Sequence, residues 1–304
     1  YNLMEQFSVT ILGCASAKPT FRHNPTSQVI DFRGNLFMVD CGEWTQMQMI
    51  KMNIKPGRLR RIFISHLHGD HCYGLPGLLS TLALSGHNGT VSVHLPKEGV
   101  DLLKPLVDFT VSKLSVEFIP YEYGNNIIYE DKSITVNTVP LKHRKSCCGF
   151  VFREKEKLRH INREMIDFYG IPLCYLNSIK EGNDYVKTDG TVIPNERLTT
   201  APSPSRAYAF ISDTLPLKAV ANEVKGIDLL YHEATFDSSL KDRAKETCHS
   251  TAADAANIAK MAGVKKLMIG HFSSRYTDDS LLLKEAQAVF PETILANEGL
   301  TVNL

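Results

Sequence analysis

Between residues 61 and 74 the chain reads RIFISHLHGDHCYG, which places His66, His68, Asp70 and His71 within six positions behind a run of β-formers. Burying an imidazole is costly unless something pairs with it, and a divalent cation is the partner these residue types suit. His66 and His68 lie two apart, so an extended strand end turns them to one side. Asp70 and His71 follow what reads as a tight turn at Gly69 and can reach a second point nearby. The H-x-H-x-D-H run therefore suits two ions, one at each point.

Four groups are too few for two ions. His143 ends the stretch TVNTVPLKH, Asp213 ends AYAFISD, and His271 follows KKLMIG, each behind an apolar strand, where α/β sites gather. A carboxylate such as Asp213 can give one oxygen to each of two cations. Each of the three has an ordinary explanation alone: a surface histidine, a helix cap before Pro216 and a core histidine. Their shared position behind apolar strands is what groups them.

The elements that must hold these residues follow from pattern. FSVTILG reads as a strand, and SQVIDFRGNLFMVDCG as a hairpin turning near Arg33-Gly34-Asn35. RRIFISHLH is a buried-type strand, while EWTQMQMIKMNI and YGLPGLLSTLALSG read as helices. Strand and helix patterns recur through both halves, which predicts sheets flanked by helices. Residues 153 to 206 break the rhythm: they are polar and end in TTAPSPSR. Their apolar content looks too small for a core of their own, so they read as a surface insertion or as an arm that grips a large substrate.

Composition sets outer bounds. The 304 residues are 43% hydrophobic with a net charge of +1, so no global field points to nucleic acid and any basic surface is local. Such a patch exists: from Lys142 to Glu164, eight Lys/Arg oppose three glutamates. Seven scattered cysteines without a C-x-x-C pair suggest reduced thiols in a cytosolic protein. No signal peptide is visible, Tyr1 to Leu3 read as an addition ahead of Met4, and no apolar run suits a membrane span.

H-x-H-x-D-H followed by a later His, Asp and His resembles the metallo-β-lactamase superfamily. VDCGEWTQMQM, FISHLHGDHCYGLPGLL, ISDT, HEATF, HSTAADAANIA and GHFSSRY are similar to one branch, the ribonuclease Z family of tRNA 3′-processing endonucleases. The similarity runs from about Phe7 to the C-terminal strand. It implies an α/β fold, a four-layer αβ/βα sandwich forming a single domain over 1–304, with a protruding substrate-binding arm inserted at about 155–195. It implies two Zn²⁺ per chain, with Mn²⁺ as an alternative. One ion would take His66, His68 and His143, the other Asp70, His71 and His271, with Asp213 between them. Asp40 would support the metal loop, a turn cap being the ordinary alternative.

The resemblance also assigns chemistry. Asp70 would accept a proton from the attacking water. His249 in CHST, oriented by Glu233 in YHEAT, would protonate the leaving ribose 3′-oxygen, unless the two merely cap a loop and a helix. Ser250 and Thr251 could hold a phosphate at a helix N-terminus. Ser274, Arg275 and Tyr276 resemble a motif that contacts RNA, and Arg153, Lys155 and Lys157 belong to the basic cluster that could engage phosphates. Cys72, Cys147 and Cys148 read as small buried side chains, and His23, His87, His94, His160 and His232 as structural or exposed.

The implied activity is removal of the 3′ trailer from precursor tRNA, leaving a tRNA 3′-hydroxyl and a trailer 5′-phosphate, by a cytoplasmic homodimer with no membrane association. A small-molecule hydrolase or phosphodiesterase of the same superfamily is the alternative, and a metal-bound scaffold a third. Two departures from the family stand out. At the arm tip Gly170, Ile171 and Pro172 remain, but Leu173-Cys174-Tyr175 replaces the Gly-Pro step that follows. In the first half, GCASAKP is poor in glycine, and Trp44 stands where the family often has glycine.

Overall fold

The computed structural model describes residues 5–304, so Tyr1 to Leu3 lie outside the described residues. The described residues divide into two compact units: residues 5–130, 135–152 and 206–304 form the larger, and residues 131–134 with 153–205 the smaller.

The larger unit is organised by two seven-stranded sheets. β1 (Phe7–Gly13), β2 (Ser27–Phe32), β3 (Asn35–Cys41), β4 (Leu59–Phe63), β5 (Thr90–Pro96) and β6 (Ser115–Tyr121) belong to the first. The second takes β7 (Ile127–Glu130), β8 (Ile134–Pro140), β9 (Cys148–Glu154), β10 (Ala207–Ile211), β11 (Leu229–Glu233), β12 (Lys266–Gly270) and β13 (Thr293–Leu295). β14 (Thr301–Asn303) returns to the first sheet beside β1. The spatial orders are β14-β1-β2-β3-β4-β5-β6 and β13-β12-β11-β10-β9-β8-β7.

Period-two alternation explains how each strand serves two layers. On β3 and β4, Leu36, Met38 and Ile62 join a core cluster with Leu75, Leu78, Leu79 and Leu82 of the helix Leu75–Leu84. Phe37 and Phe63 face the other way and meet Phe152 of the second sheet at 6.4 and 5.5 Å between ring centres. The helix Ala252–Ala262, closed by a Thr251–Asp254 capping box, buries Ala255, Ala256 and Ala259 on the second sheet's side. Helix, sheet, sheet, helix is the layering that two one-sided sheets require. The predicted hairpin is present: Arg33 and Gly34 join β2 to β3, both with positive φ (49° and 86°), the conformation a two-residue turn needs.

Register decides where the chemistry lies. β3 and β4 run parallel with Val39 level with Phe63, so Asp40 and the segment after β4 emerge at one edge. In the second sheet β10, β11 and β12 are parallel, with Ile211 level with His232 and Glu233 with Gly270. Asp213, Glu233 and His271 therefore leave their strands together.

The smaller unit corrects one expectation. It has its own apolar centre of Ile166, Ile171, Ile179, Ile193 and Leu198, with Tyr169, Leu176 and Tyr185 packed around it. Its elements are too short for a periodic signal: helices Arg163–Tyr169, Leu176–Lys180 and Asn195–Leu198, and two strand pairs two residues long. The buried Asn195 amide ties them together, donating to the carbonyls of Ile179 (2.6 Å) and Asn183 (2.8 Å).

Candidate metal centre

Gly69 does not make the tight turn expected of it. It opens a short helix, Gly69–Cys72, with the Tyr73 ring lying over it, so that a Cβ there would lie 2.4 Å from the ring unless the ring moved. The helix carries Asp70 and His71 back over the strand end that bears His66 and His68.

Two groups of donor atoms result. His66 Nε2 lies 3.0 Å from His68 Nδ1, which lies 3.3 Å from His143 Nε2. Asp213 Oδ2 faces this group, 3.7 Å from both His66 Nε2 and His143 Nε2. Its other oxygen, Oδ1, faces the second group, 3.1 Å from His71 Nε2 and 3.2 Å from His271 Nε2. Asp70 Oδ2 completes that group at 3.4 and 3.6 Å from the same two nitrogens. All seven residues singled out from sequence thus converge, with one carboxylate between the two sets.

The outward ring nitrogens are held by neighbours, which aims the inward ones. His71 Nδ1 bonds to Asp40 Oδ2 at 2.6 Å, and Asp40 also accepts from the Ser65 amide and hydroxyl. His143 Nδ1 donates to the Cys248 carbonyl at 3.0 Å, and His271 Nδ1 to the Thr235 hydroxyl at 3.0 Å. His71 Nε2 and His271 Nε2 are buried with no hydrogen-bond partner. An imidazole whose far nitrogen is fixed and whose near one is unpaired in a polar pocket is arranged as a metal ligand. The donor set, imidazole and carboxylate, suits Zn²⁺ or Mn²⁺, so the residues fit a divalent pair.

Electrostatics agree. Burial holds His66, His68 and His143 below their ordinary range, helped by neighbouring imidazoles, so their lone pairs are free. For His71 burial is overcome by Asp213, Asp70 and Asp40, which draw positive charge to this spot. Burial opposes ionisation of Asp70, but His71 and His271 keep it a carboxylate. Asp40, Asp213, Cys248 and His271 all have positive φ, from 50° to 60°. Such conformations cost about 1–3 kcal/mol each for non-glycine residues and cluster at functional sites.

Beside the centre, His249 Nδ1 lies 2.9 Å from Glu233 Oε1. Burial lowers the His249 pKa, but the buried Glu233 carboxylate outweighs it and raises the value to about 9. Glu233 also accepts from the Thr214 amide (2.6 Å), the Thr235 hydroxyl (2.6 Å) and the Ser250 amide (3.0 Å), which locks it in place. Those bonds revise the reading of Ser250 and Thr251 as phosphate ligands. Ser250 gives its amide to Glu233 and its hydroxyl to the Thr214 carbonyl, while Thr251 caps the following helix.

A cavity of about 520 Å³ opens onto the centre, lined among others by His68, Asp70, His143, Asp213, His249 and His271. Arg275 lines it, its guanidinium 4.9 Å from the Phe236 ring centre, but Ser273 lines it rather than Ser274. Tyr276 is engaged elsewhere, its hydroxyl donating to Asp237 at 2.5 Å. Arg153, Lys155 and Lys157 belong to the smaller unit, where Lys157 is committed to Glu154 (3.3 Å) and the Ser203 hydroxyl (2.9 Å). Cys72 and Cys147 are buried thiols that bond to the carbonyls of His68 and Asp213, each at 3.3 Å, and Cys148 is buried with them.

Sequence reasoning passed over Thr235, the Cys248 carbonyl and Arg243, which lines the cavity together with Arg144 of the basic cluster. Thr235 was visible only as part of HEATF, and a carbonyl carries no side-chain signal. Outside the centre, His23 bonds through both ring nitrogens, to Asp279 and Glu298 at 2.9 Å each. His94 stacks on Phe63 at 4.7 Å, His87 bonds to the Leu59 carbonyl, His232 to the Glu233 carbonyl, and His160 is exposed.

Two facing seven-stranded sheets with this cluster at their strand ends define a metallo-β-lactamase-fold protein. Among solved structures, the metallo-β-lactamase fold protein YhfI of Bacillus subtilis matches with a TM-score of 0.71 at 17% identity, covering 99% of this chain and 100% of that one. The short form of human tRNase Z matches with a TM-score of 0.69 at 24% identity, covering 97% and 98%. A family model described as anti-Pycsar protein Apyc1 matches residues 7–155. The ribonuclease Z of Bacteroides fragilis is 53% identical over 99% of this chain and 100% of its own length. That of Bacteroides thetaiotaomicron is 51% identical over 99% and 96%. The chain belongs to the ribonuclease Z family.

Proposed function

We propose that the chain is a metal-dependent endoribonuclease that removes the 3′ trailer from precursor tRNA, leaving a tRNA 3′-hydroxyl and a trailer 5′-phosphate. The observation that carries this reading is Asp213, whose two oxygens each face one donor group. His66, His68 and His143 would hold one divalent cation and Asp70, His71 and His271 the other, both Zn²⁺ on the donor chemistry. Bound there, a cation pair favours hydroxide over water at neutral pH and offsets charge building on the phosphoryl oxygens.

The chain's own groups do the rest. Asp70, ionised and beside the cavity, accepts the proton of the attacking water. His249, kept protonated by Glu233, donates to the departing ribose 3′-oxygen, because an alkoxide is a poor leaving group. Arg275 at the cavity wall is placed to steady a flanking phosphate. The smaller unit is the substrate-binding arm in this reading, supported by its separate core and by Arg153, Lys155 and Lys157 within it. Seven unpaired thiols support a reducing compartment, the cytoplasm, and the family resemblance supports a homodimer. No helix among the described residues is long and apolar enough to cross a membrane.

The decisive test is cleavage of a precursor tRNA transcript with both new ends mapped, with and without a chelator. Cutting that persists in metal-free protein, or no cutting of tRNA beside turnover of a small ester, would overturn the reading. For the arm, replacing residues 155–195 with a short Gly/Ser linker should raise KM for precursor tRNA more than it lowers kcat, while a small activated phosphodiester is still hydrolysed. An unchanged KM would reduce the segment to a surface insertion.

A further inference from the structure

Trp44 breaks three local rules at once. It is the N-cap of the helix Thr45–Lys51, where Ser, Thr, Asp, Asn or Gly is favoured, and its side chain makes no capping bond. Its φ is +70°, a left-handed conformation in which a bulky residue is an outlier. Its indole is 53% exposed, though burial is the usual gain from a tryptophan. Glycine at this position would relieve all three faults. Local rules that fail together are expected at functional or strained sites.

The surroundings say what the function is. Trp44 and Tyr73, the latter 63% exposed, line a depression of about 290 Å³ with Gln46. Glu43 and Tyr73 line both this depression and the catalytic cavity, so the two adjoin. The backbone beneath is packed against the metal loop: a Cβ on Gly42 would lie 2.5 Å from the Asp70 carbonyl. Tyr73 lies over Gly69 in the same loop. Two exposed aromatic rings on a stiff support beside a phosphodiester site form a stacking platform, the device by which proteins hold unpaired bases.

We propose that Trp44, with Tyr73, stacks a nucleobase next to the scissile phosphate and so sets the reach of the single-stranded end into the centre. This rests on the reading of the substrate as RNA. The occupant is a base because the depression adjoins the cavity that takes the phosphate, and because a flat π-face suits any base. Trp44 is the single tryptophan of the chain, so its emission reports on this site alone.

The test uses the metal-loaded full chain. Adenosine 5′-monophosphate and precursor tRNA should both quench Trp44 emission, while ribose 5-phosphate, which lacks a base, should not. Trp44→Gly should raise KM for precursor tRNA by about tenfold with kcat nearly unchanged, and Trp44→Phe should restore most of the loss. The glycine variant should also be at least as heat-stable as the parent, an outcome a merely structural tryptophan would not give. Cleavage with unaltered emission, together with an unchanged KM in Trp44→Gly, would overturn the stacking role and leave the ribonuclease reading intact. Quenching by adenosine 5′-monophosphate in a protein that fails to cut tRNA would uphold stacking and sink that reading instead. Emission that follows protein concentration but ignores nucleotide would make the face a contact between copies, which also overturns the proposal.

Discussion

His71 and His23 are both buried histidines flanked by carboxylates, yet they are built for different ends. His23 has both ring nitrogens bonded, to Asp279 and Glu298, with Arg22 also paired to Asp279. Burial lowers its pKa, but the two carboxylates more than offset that and raise it to about 9, the pattern of a buried imidazolium ion pair. His71 has one nitrogen bonded, to Asp40, and the other left unpaired among Asp70, Asp213 and His271. A closed network stabilises a loop, whereas an open nitrogen aimed at other open donors awaits a ligand. Counting partners at each ring nitrogen separates the two more sharply than burial or nearby charge does.

The largest test of that contrast is metal content. His68→Ala should lose both cations and cut RNA at least about 10⁴-fold more slowly, whereas His23→Gln should keep its metal by elemental analysis. Equal metal loss in the two variants would erase the distinction. Next comes His249→Ala, which should retain metal yet cut about 10²–10⁴-fold more slowly, as for a lost general acid. A parallel loss of metal would move His249 into the ligand set. Asp40→Asn should weaken metal binding by about 10–100-fold, because it unsettles the tautomer of His71 rather than removing a ligand. Competition with a chromophoric chelator would measure it, and an unchanged affinity would return Asp40 to a turn cap.

The smallest effect concerns pH. The folded pKa of His23 is raised to about 9 from 6.5, so its contribution to stability is complete below about 6.5 and is lost as pH rises through about 9. The Tm of His23→Gln should fall several degrees below the parent at pH 6, and the gap should close by about pH 10. A gap that stays constant over that range would mean packing, not charge, is what His23 supplies.

The residues of the two donor groups were legible because His66 and His68 come soon after β4, Asp70 and His71 crowd behind them, and His143, Asp213 and His271 each come within three residues of a strand of the second sheet. Asp40 was ambiguous in sequence because a cap and a ligand support use the same residue type, and only its 2.6 Å bond to His71 separates them. The Cys248 carbonyl and the commitments of Ser250 depend on three-dimensional proximity that no spacing encodes. In the smaller unit, five aliphatic residues scattered over short elements make a core without any period to detect. Tyr276 and Lys157 stood out as RNA contacts by type, while their bonds to Asp237 and Glu154 show only in three dimensions.

The donor groups come from both sheets: His66, His68, Asp70 and His71 come after β4 of the first, and His143, Asp213 and His271 follow strands of the second. Metal occupancy is therefore linked thermodynamically to the docking of one sheet on the other. A cation that binds only the folded chain adds about 2.7 kcal/mol of stability at a free concentration a hundred times its dissociation constant. Removal of the metal would then lower the stability of the fold along with its turnover.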